Sequence, residues 1–176
     1  MTDAGTLALV PAPIIVTATL SPRDFAWADR LRRAHFPADR NVLSAHLTLF
    51  HHLPPSSARE LCSLLADLCA GPAPAATLCA PYSLGRGVAY RIDSATLAEH
   101  RAHIADRFEA LLIPQDRQGW RAHITVQNKV APAVARALLA ELAIGFVPRP
   151  IGIAGLSAWW YRGGPWEPLG AWSFRG

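Results

Sequence analysis

Residues 39–49 read Asp-Arg-Asn-Val-Leu-Ser-Ala-His-Leu-Thr-Leu, and residues 116–126 read Asp-Arg-Gln-Gly-Trp-Arg-Ala-His-Ile-Thr-Val. The offset is 77 residues at every match: Asp39 with Asp116, Arg40 with Arg117, Ala45 with Ala122, His46 with His123, Thr48 with Thr125. Nine residues after each histidine stands a proline, Pro55 and Pro132. An internal repeat constrains architecture before any local signal does, because each copy has to be one structural unit. Here it also puts two imidazole–hydroxyl pairs into one chain.

Each copy holds His-x-Thr-x with aliphatic residues at both x positions, Leu47 and Leu49 in one, Ile124 and Val126 in the other. Successive side chains on a strand point to opposite faces. His46 and Thr48 therefore share a face, as do His123 and Thr125, and the aliphatic residues take the other. Burying the aliphatic face aims the polar face at a cleft. The opposite choice would bury polar groups in need of partners and expose four aliphatic side chains.

Reading outward, Ile14 to Leu20 is β-rich, and Ser21-Pro22 is a helix cap followed by proline at the first helical position. A helix runs from there to about Ala34, with Phe25, Ala28 and Leu31 facing inward. The first repeat strand covers about 43–50. A helix starts near Ser56 or Ser57, with Leu61, Leu64, Leu65 and Leu68 as its apolar stripe. Residues 75–84 and 88–93 form a hairpin around Gly85 to Gly87. Ser94 caps a helix over about 95–112, with Leu97, Ile104, Phe108 and Leu111 on one face. A loop over 115–121 leads to the second repeat strand, about 122–129. Pro132 opens a helix with Val134, Leu138, Leu139 and Leu142 inward. Strands at about 150–161 and 168–174 finish the chain. Both halves run strand, helix, repeat strand, helix, strand. The expected fold is α+β: a single domain over 1–176, with two pseudo-symmetric lobes at about 14–85 and 87–176, each an antiparallel sheet backed by helices.

The 176 residues are 51% hydrophobic and 17% charged, which suits one folded domain and carries no disorder signature. The net charge of +4 is compatible with an anionic substrate. The basic residues are arginine except for Lys129, a pattern that a GC-rich coding bias explains as well as phosphate binding does. Three cysteines, Cys62, Cys69 and Cys79, lack metal-ligand spacing and read as thiols of a reducing compartment. The apolar run from Leu7 to Leu20 lacks a basic start and contains Pro11 and Pro13, so neither a signal peptide nor a membrane span is expected. The expected location is cytoplasmic and the expected state a monomer.

Two histidines form an acid–base pair near neutral pH, since an ordinary pKa of about 6.5 lets one be neutral while the other is charged. In displacement at phosphorus, one activates the incoming oxygen and the other, on the opposite side, protonates the leaving oxygen. Threonine hydroxyls donate to the non-bridging oxygens. No metal or other cofactor is required, and no glycine-rich nucleotide loop is present. His51 and His52 follow the first motif; alternation places His52 with His46 and His51 opposite, and the reading is loop histidines rather than a metal site. Gln127 and Lys129 fall on the face of His123 and Thr125, as substrate-binding candidates. Arg40 and Arg117 are further candidates at the cleft rim, although an Asp-Arg pair more often fixes a turn. In the aromatic stretch 159–166, Trp160 is assigned to the core of a hairpin, and Tyr161 and Arg162 are kept as substrate-binding candidates at the cleft.

The paired His-Leu-Thr-Leu and His-Ile-Thr-Val strands resemble those of the 2H phosphoesterase superfamily, and more closely the bacterial 2′-5′ RNA ligase family, which includes RNA 2′,3′-cyclic phosphodiesterases. The resemblance spans the chain from the strand at 14–20 to the last strands. It implies a bilobal fold with both motifs lining a central cleft, and metal-free attack on a 2′,3′-cyclic phosphate or 2′-5′ linkage of RNA or a nucleotide. His46 and His123 would be catalytic, and Thr48 and Thr125 would hold phosphate. By analogy His123 activates water and His46 protonates the departing 3′ oxygen, leaving a 2′-phosphate; ligation is the same path in reverse. The alternatives are a non-catalytic RNA-binding module with the same cleft and a 2′-5′ oligonucleotide phosphodiesterase.

Overall fold

The computed structural model describes residues 11–176. Leu7–Val10, the start of the apolar run, lie outside the described residues. The strands are β1 (Ile14–Leu20), β2 (Leu47–Leu53), β3 (Thr77–Ser83), β4 (Val88–Asp93), β5 (His123–Gln127), β6 (Arg149–Pro150), β7 (Ile153–Trp160) and β8 (Glu167–Ser173). The helices are α1 (Pro22–His35), α2 (Ala58–Leu68), α3 (Ala95–Arg107), α4 (Pro114–Arg117) and α5 (Pro132–Ala143). The strands form two antiparallel four-stranded sheets, in the orders β2-β1-β7-β8 and β5-β4-β3-β6. The α+β architecture agrees with the expectation, and each sheet carries one repeat strand at its edge.

The strand pairing does not follow the expected split near residues 85–87. β3 belongs to the sheet of the second motif, and β7 and β8 belong to the sheet of the first. Helices cross over as well. α1 follows β1 yet packs on β5, whereas α2 packs on β7, β8 and α3. Strand order along a chain does not report which edge a later strand joins, so the exchange is invisible to a reading of local periodicity.

Local signals set the element ends. Ser21 caps α1 by accepting from the Asp24 amide at 3.4 Å, and Ser94 caps α3 by accepting from the Leu97 amide at 3.2 Å. α3 stops at Arg107, short of the expected 112, because a tight turn over Glu109–Leu111 follows. That turn rotates Leu111 outward and buries Leu112 instead. The buried face of α1 holds Asp24, Ala28, Asp29 and Arg32, while Phe25 is exposed; in α5 Ala135 and Leu138 are buried and Val134 is exposed. In the turn between β3 and β4, Gly85 adopts φ +79°, and a Cβ on Gly87 would sit 2.1 Å from the Gln127 carbonyl oxygen of β5. Only glycine permits that approach. Leu47, Leu49, Phe50, Leu53, Ile124 and Val126 lie in the core cluster, so the aliphatic side of both motifs faces inward as expected. Cys69 and Cys79 are buried, Cys62 is half-buried, and all three are free. No helix among the described residues is long and apolar enough to cross a membrane.

Candidate active site

Both motif histidines are fixed by the same device. The Nδ1–H of His46 donates to the Ser44 carbonyl at 2.7 Å, and that of His123 donates to the Arg121 carbonyl at 2.7 Å. A carbonyl can only accept, so Nδ1 carries the proton and Nε2 is left free for chemistry. His46 stands immediately before β2 and His123 opens β5. The two strands lie beside each other where the sheets meet. Trp120 Nε1 donates to the Thr48 carbonyl at 2.9 Å, strapping the loop before β5 onto β2. The buried Arg32 donates from Nε to Asn41 Oδ1 and the Leu43 carbonyl, and from Nη1 to the Thr125 carbonyl. One guanidinium thus ties α1 to both motif segments.

Each motif strand also has a bulge at the same place. In β2 the register passes from Thr17↔Thr48 to Val16↔Phe50, so Leu49 is extra; in β5 it passes from Ala89↔Thr125 to Val88↔Gln127, so Val126 is extra. Two residues facing one reverse the alternation beyond that point. Phe50 and Gln127 are consequently both buried. Gln127 is therefore not on the face of His123: it lies opposite Val88, and its Oε1 has no hydrogen-bond partner among the described residues. The same reversal corrects the assignment of His51, which shares a pocket with Thr48 and His123.

The remaining candidates are placed as follows. Lys129 is exposed on the turn after β5, with φ +62°. Arg40 is exposed beside Asp39 and reaches the Lys129 carbonyl at 3.4 Å. Arg117 donates to the Leu112 and Glu109 carbonyls, closing the turn after α3, which is the turn-fixing role. Tyr161 is exposed past the end of β7, and Arg162 pairs with Glu167 at 2.9 Å. Trp160 packs against the core as expected. The aromatic groups at the site are instead Trp159 and Trp166. They line a pocket with His46, Thr17, Ser157 and Leu43; Trp159 donates to Thr17 Oγ1 at 2.9 Å, and the Trp166 ring lies 4.8 Å from that of His46. Trp159 was legible as the alternate of Trp160; Trp166 follows a turn and had no periodic signal.

Burial pushes the His46 imidazole down to about 4, with Arg32, His123 and His51 adding to the effect against the bond it donates to the Ser44 carbonyl. With its imidazole held that low, His46 is neutral near pH 7. Among the described residues, no group of three or more His, Cys, Asp or Glu side chains could hold a metal ion.

The model of the 2′-5′ RNA ligase superfamily matches residues 20–165, nearly the whole chain. The chain belongs to the 2′-5′ RNA ligase superfamily. Among solved structures, Escherichia coli LigT complexed with 3′-AMP is 18% identical with a TM-score of 0.61, covering 94% of this chain and 99% of LigT. The Thermus thermophilus protein TT0787 is 16% identical with a TM-score of 0.60, covering 93% and 98%. LigT complexed with NADP+ is 18% identical with a TM-score of 0.59, covering 93% and 98%. At such identities the likeness is one of fold. No curated protein matches the sequence. Superfamily membership agrees with the 2H resemblance, and both motifs fall inside the matched span.

Proposed function

We propose that the protein is a metal-independent phosphodiesterase that opens 2′,3′-cyclic phosphates at RNA ends or on small nucleotides, giving 2′-phosphates, with ligation as the reverse path. The observation that carries this reading is the duplicated histidine: two imidazoles, each with Nδ1 tied to a carbonyl two residues earlier and Nε2 left free. Phosphate binding alone does not call for two such groups. LigT's complexes with 3′-AMP and NADP+ support a nucleotide as ligand.

In the reaction, water attacks phosphorus and its proton passes to one imidazole. The P–O3′ bond breaks, and the other imidazole protonates O3′. A 2′-phosphate and a free 3′-hydroxyl remain. Thr48 and Thr125 hydroxyls donate to the non-bridging oxygens as charge builds. His46 starts neutral, so it is equipped to take the water's proton, leaving His123 to supply the other. The order drawn from analogy, His123 as base and His46 as acid, is the alternative assignment.

The test is turnover of nucleoside 2′,3′-cyclic phosphates in chelator by wild type, His46→Ala and His123→Ala. The expected result is chelator-resistant turnover yielding 2′-phosphate, with losses of about a thousandfold or more in each variant. Full activity in either variant would refute two-histidine catalysis. RNA binding without turnover by wild type would favour a recognition module.

A further inference from the structure

Helix α5 is apolar on both sides. Its inner face, Ala135 and Leu138 with Leu139 and Leu142 beside them, packs on β3 and β4. A surface helix ordinarily turns charged residues to water on its other face. On α5 that face carries Ala133, Ala137, Ala140 and Ile144, flanked by Val134 and Ala143, and the helix has only two charged residues, Arg136 and Glu141. Ile144, 82% exposed, and Val147, 72% exposed, are the most exposed large apolar side chains among the described residues, and Val134 is 50% exposed. Grouped apolar exposure marks a surface that another molecule covers.

Spacing and charge together say what covers it. Residues 133, 137, 140 and 144 recur at intervals of four, three and four, the seam of a two-stranded coiled coil. In that register Arg136 and Glu141 flank the seam on opposite sides, five residues apart. Two copies of α5 packed in parallel about a twofold axis set Arg136 of each beside Glu141 of the other, twice over. An antiparallel pair would set Arg136 beside Ala143 and Glu141 beside Val134, and no charge would be met. Within the chain, the residues three and four positions away from each charge are uncharged, and neither charge forms an ion pair among the described residues.

In place of the monomer expected from the sequence, we propose that a second copy of this chain docks on the outer face of α5. The dimer is parallel and isologous, with Ala137, Ala140 and Ile144 in its seam and Arg136 and Glu141 as its reciprocal ion pairs. The cleft stays open in both copies. The Tyr90 ring of β4 meets Trp27 of α1 and Phe146 just past α5, so α5 covers the same face of its sheet as α1 does. Ile124 pairs with Tyr90 on that face, while His123 and Thr125 stand opposite Arg91 and Ala89 on the other. The dimer joins the molecule at its back and is independent of the chemistry proposed for the motif pair.

The experiment is sedimentation equilibrium of the intact protein over a range of concentrations. The seam is short, so wild type is expected to dimerise at about 0.1–1 mM, the weak end for protein pairs. Arg136→Glu or Glu141→Arg alone brings like charges together at both contacts and should weaken association about tenfold or more. Ile144→Ser, which removes the large apolar group of the seam, should do the same. An equimolar mixture of the Arg136→Glu and Glu141→Arg proteins should associate again, because both contacts of that heterodimer join opposite charges. All three positions are exposed and lie away from the cleft, so thermal melts and cyclic nucleotide turnover of the variants should match wild type. A wild type that stays monomeric up to millimolar concentration overturns the dimer. Association that survives Arg136→Glu and Ile144→Ser, or a mixture that fails to associate, overturns its placement on α5.

Discussion

The indole of Trp166 packs on the imidazole of His46, their centroids 4.8 Å apart and their planes at 57°. His123 is covered differently: its ring neighbour is Tyr82, edge-on at 6.2 Å. The two histidines share a tether and differ in their ring neighbours.

Removing the cover should hydrate His46. In Trp166→Ala, the His46 pKa is expected to rise from about 4 toward the ordinary histidine range, read by proton NMR titration of the ring. KM for a cyclic nucleotide should rise roughly tenfold, since a stacked base contributes about 1–3 kcal/mol. An unchanged His46 titration would show that the indole is not what keeps water away.

The depressed His46 also makes stability depend on pH. Its folded pKa of about 4 lies below its unfolded value, so the unfolded chain binds the extra proton between about 4 and 6.5. Stability is full above that window and falls as pH drops through it, by on the order of 2 kcal/mol once screening is allowed for. Urea unfolding at stepped pH should show this slope in wild type and a shallower one in His46→Gln. If His46 is the base, kcat/KM rises with pH through about 4.

Gln127 offers a test of the bulge. It is 4% exposed with an orphan Oε1, on the core side of β5. Gln127→Met removes that orphan at similar volume, and stability should hold or rise by about 1 kcal/mol. Cyclic nucleotide turnover should stay within about twofold. A large loss of turnover at unchanged stability would put Gln127 back in the cleft.

Asp116→Asn should cost about 2–4 kcal/mol, because a buried acceptor of backbone amides is replaced by a group that must also donate. Burial alone would raise the Asp116 pKa, but the bonds from His51 and His52 outweigh it and hold the carboxyl below its usual 3.8. Its contribution is therefore present above that value and fades as pH falls through the lower folded pKa. Thermal melts of wild type and variant should converge toward acid.

Much of this was legible in the repeat. The alternation of Leu47 and Leu49 against His46 and Thr48 placed the aliphatic side in the core, and Ser21, Pro22 and Ser94 marked the helix starts they in fact mark. Alternation failed at Leu49 and Val126, because a bulge is set by the partner strand and leaves no trace in local periodicity. That one extra residue misassigned both Gln127 and His51. Asp39 and Asp116 read alike, yet Asp39 is exposed and Asp116 buried; the α4 turn at Pro114 carries one of them against β2. Repeats duplicate a segment, and its neighbours then diverge.

The exchange of strands between the two halves has a consequence for biosynthesis. β3, β4, β5 and β6 come from one continuous stretch, so their sheet can pair while the chain is still emerging. β1 has β2 on one side, but its other edge stays open until β7, well over a hundred residues later, leaves the ribosome. Until then the nascent chain carries an unpaired, apolar strand edge, and His46 acquires its Trp159 and Trp166 surroundings only after β7 and the turn beyond it have emerged.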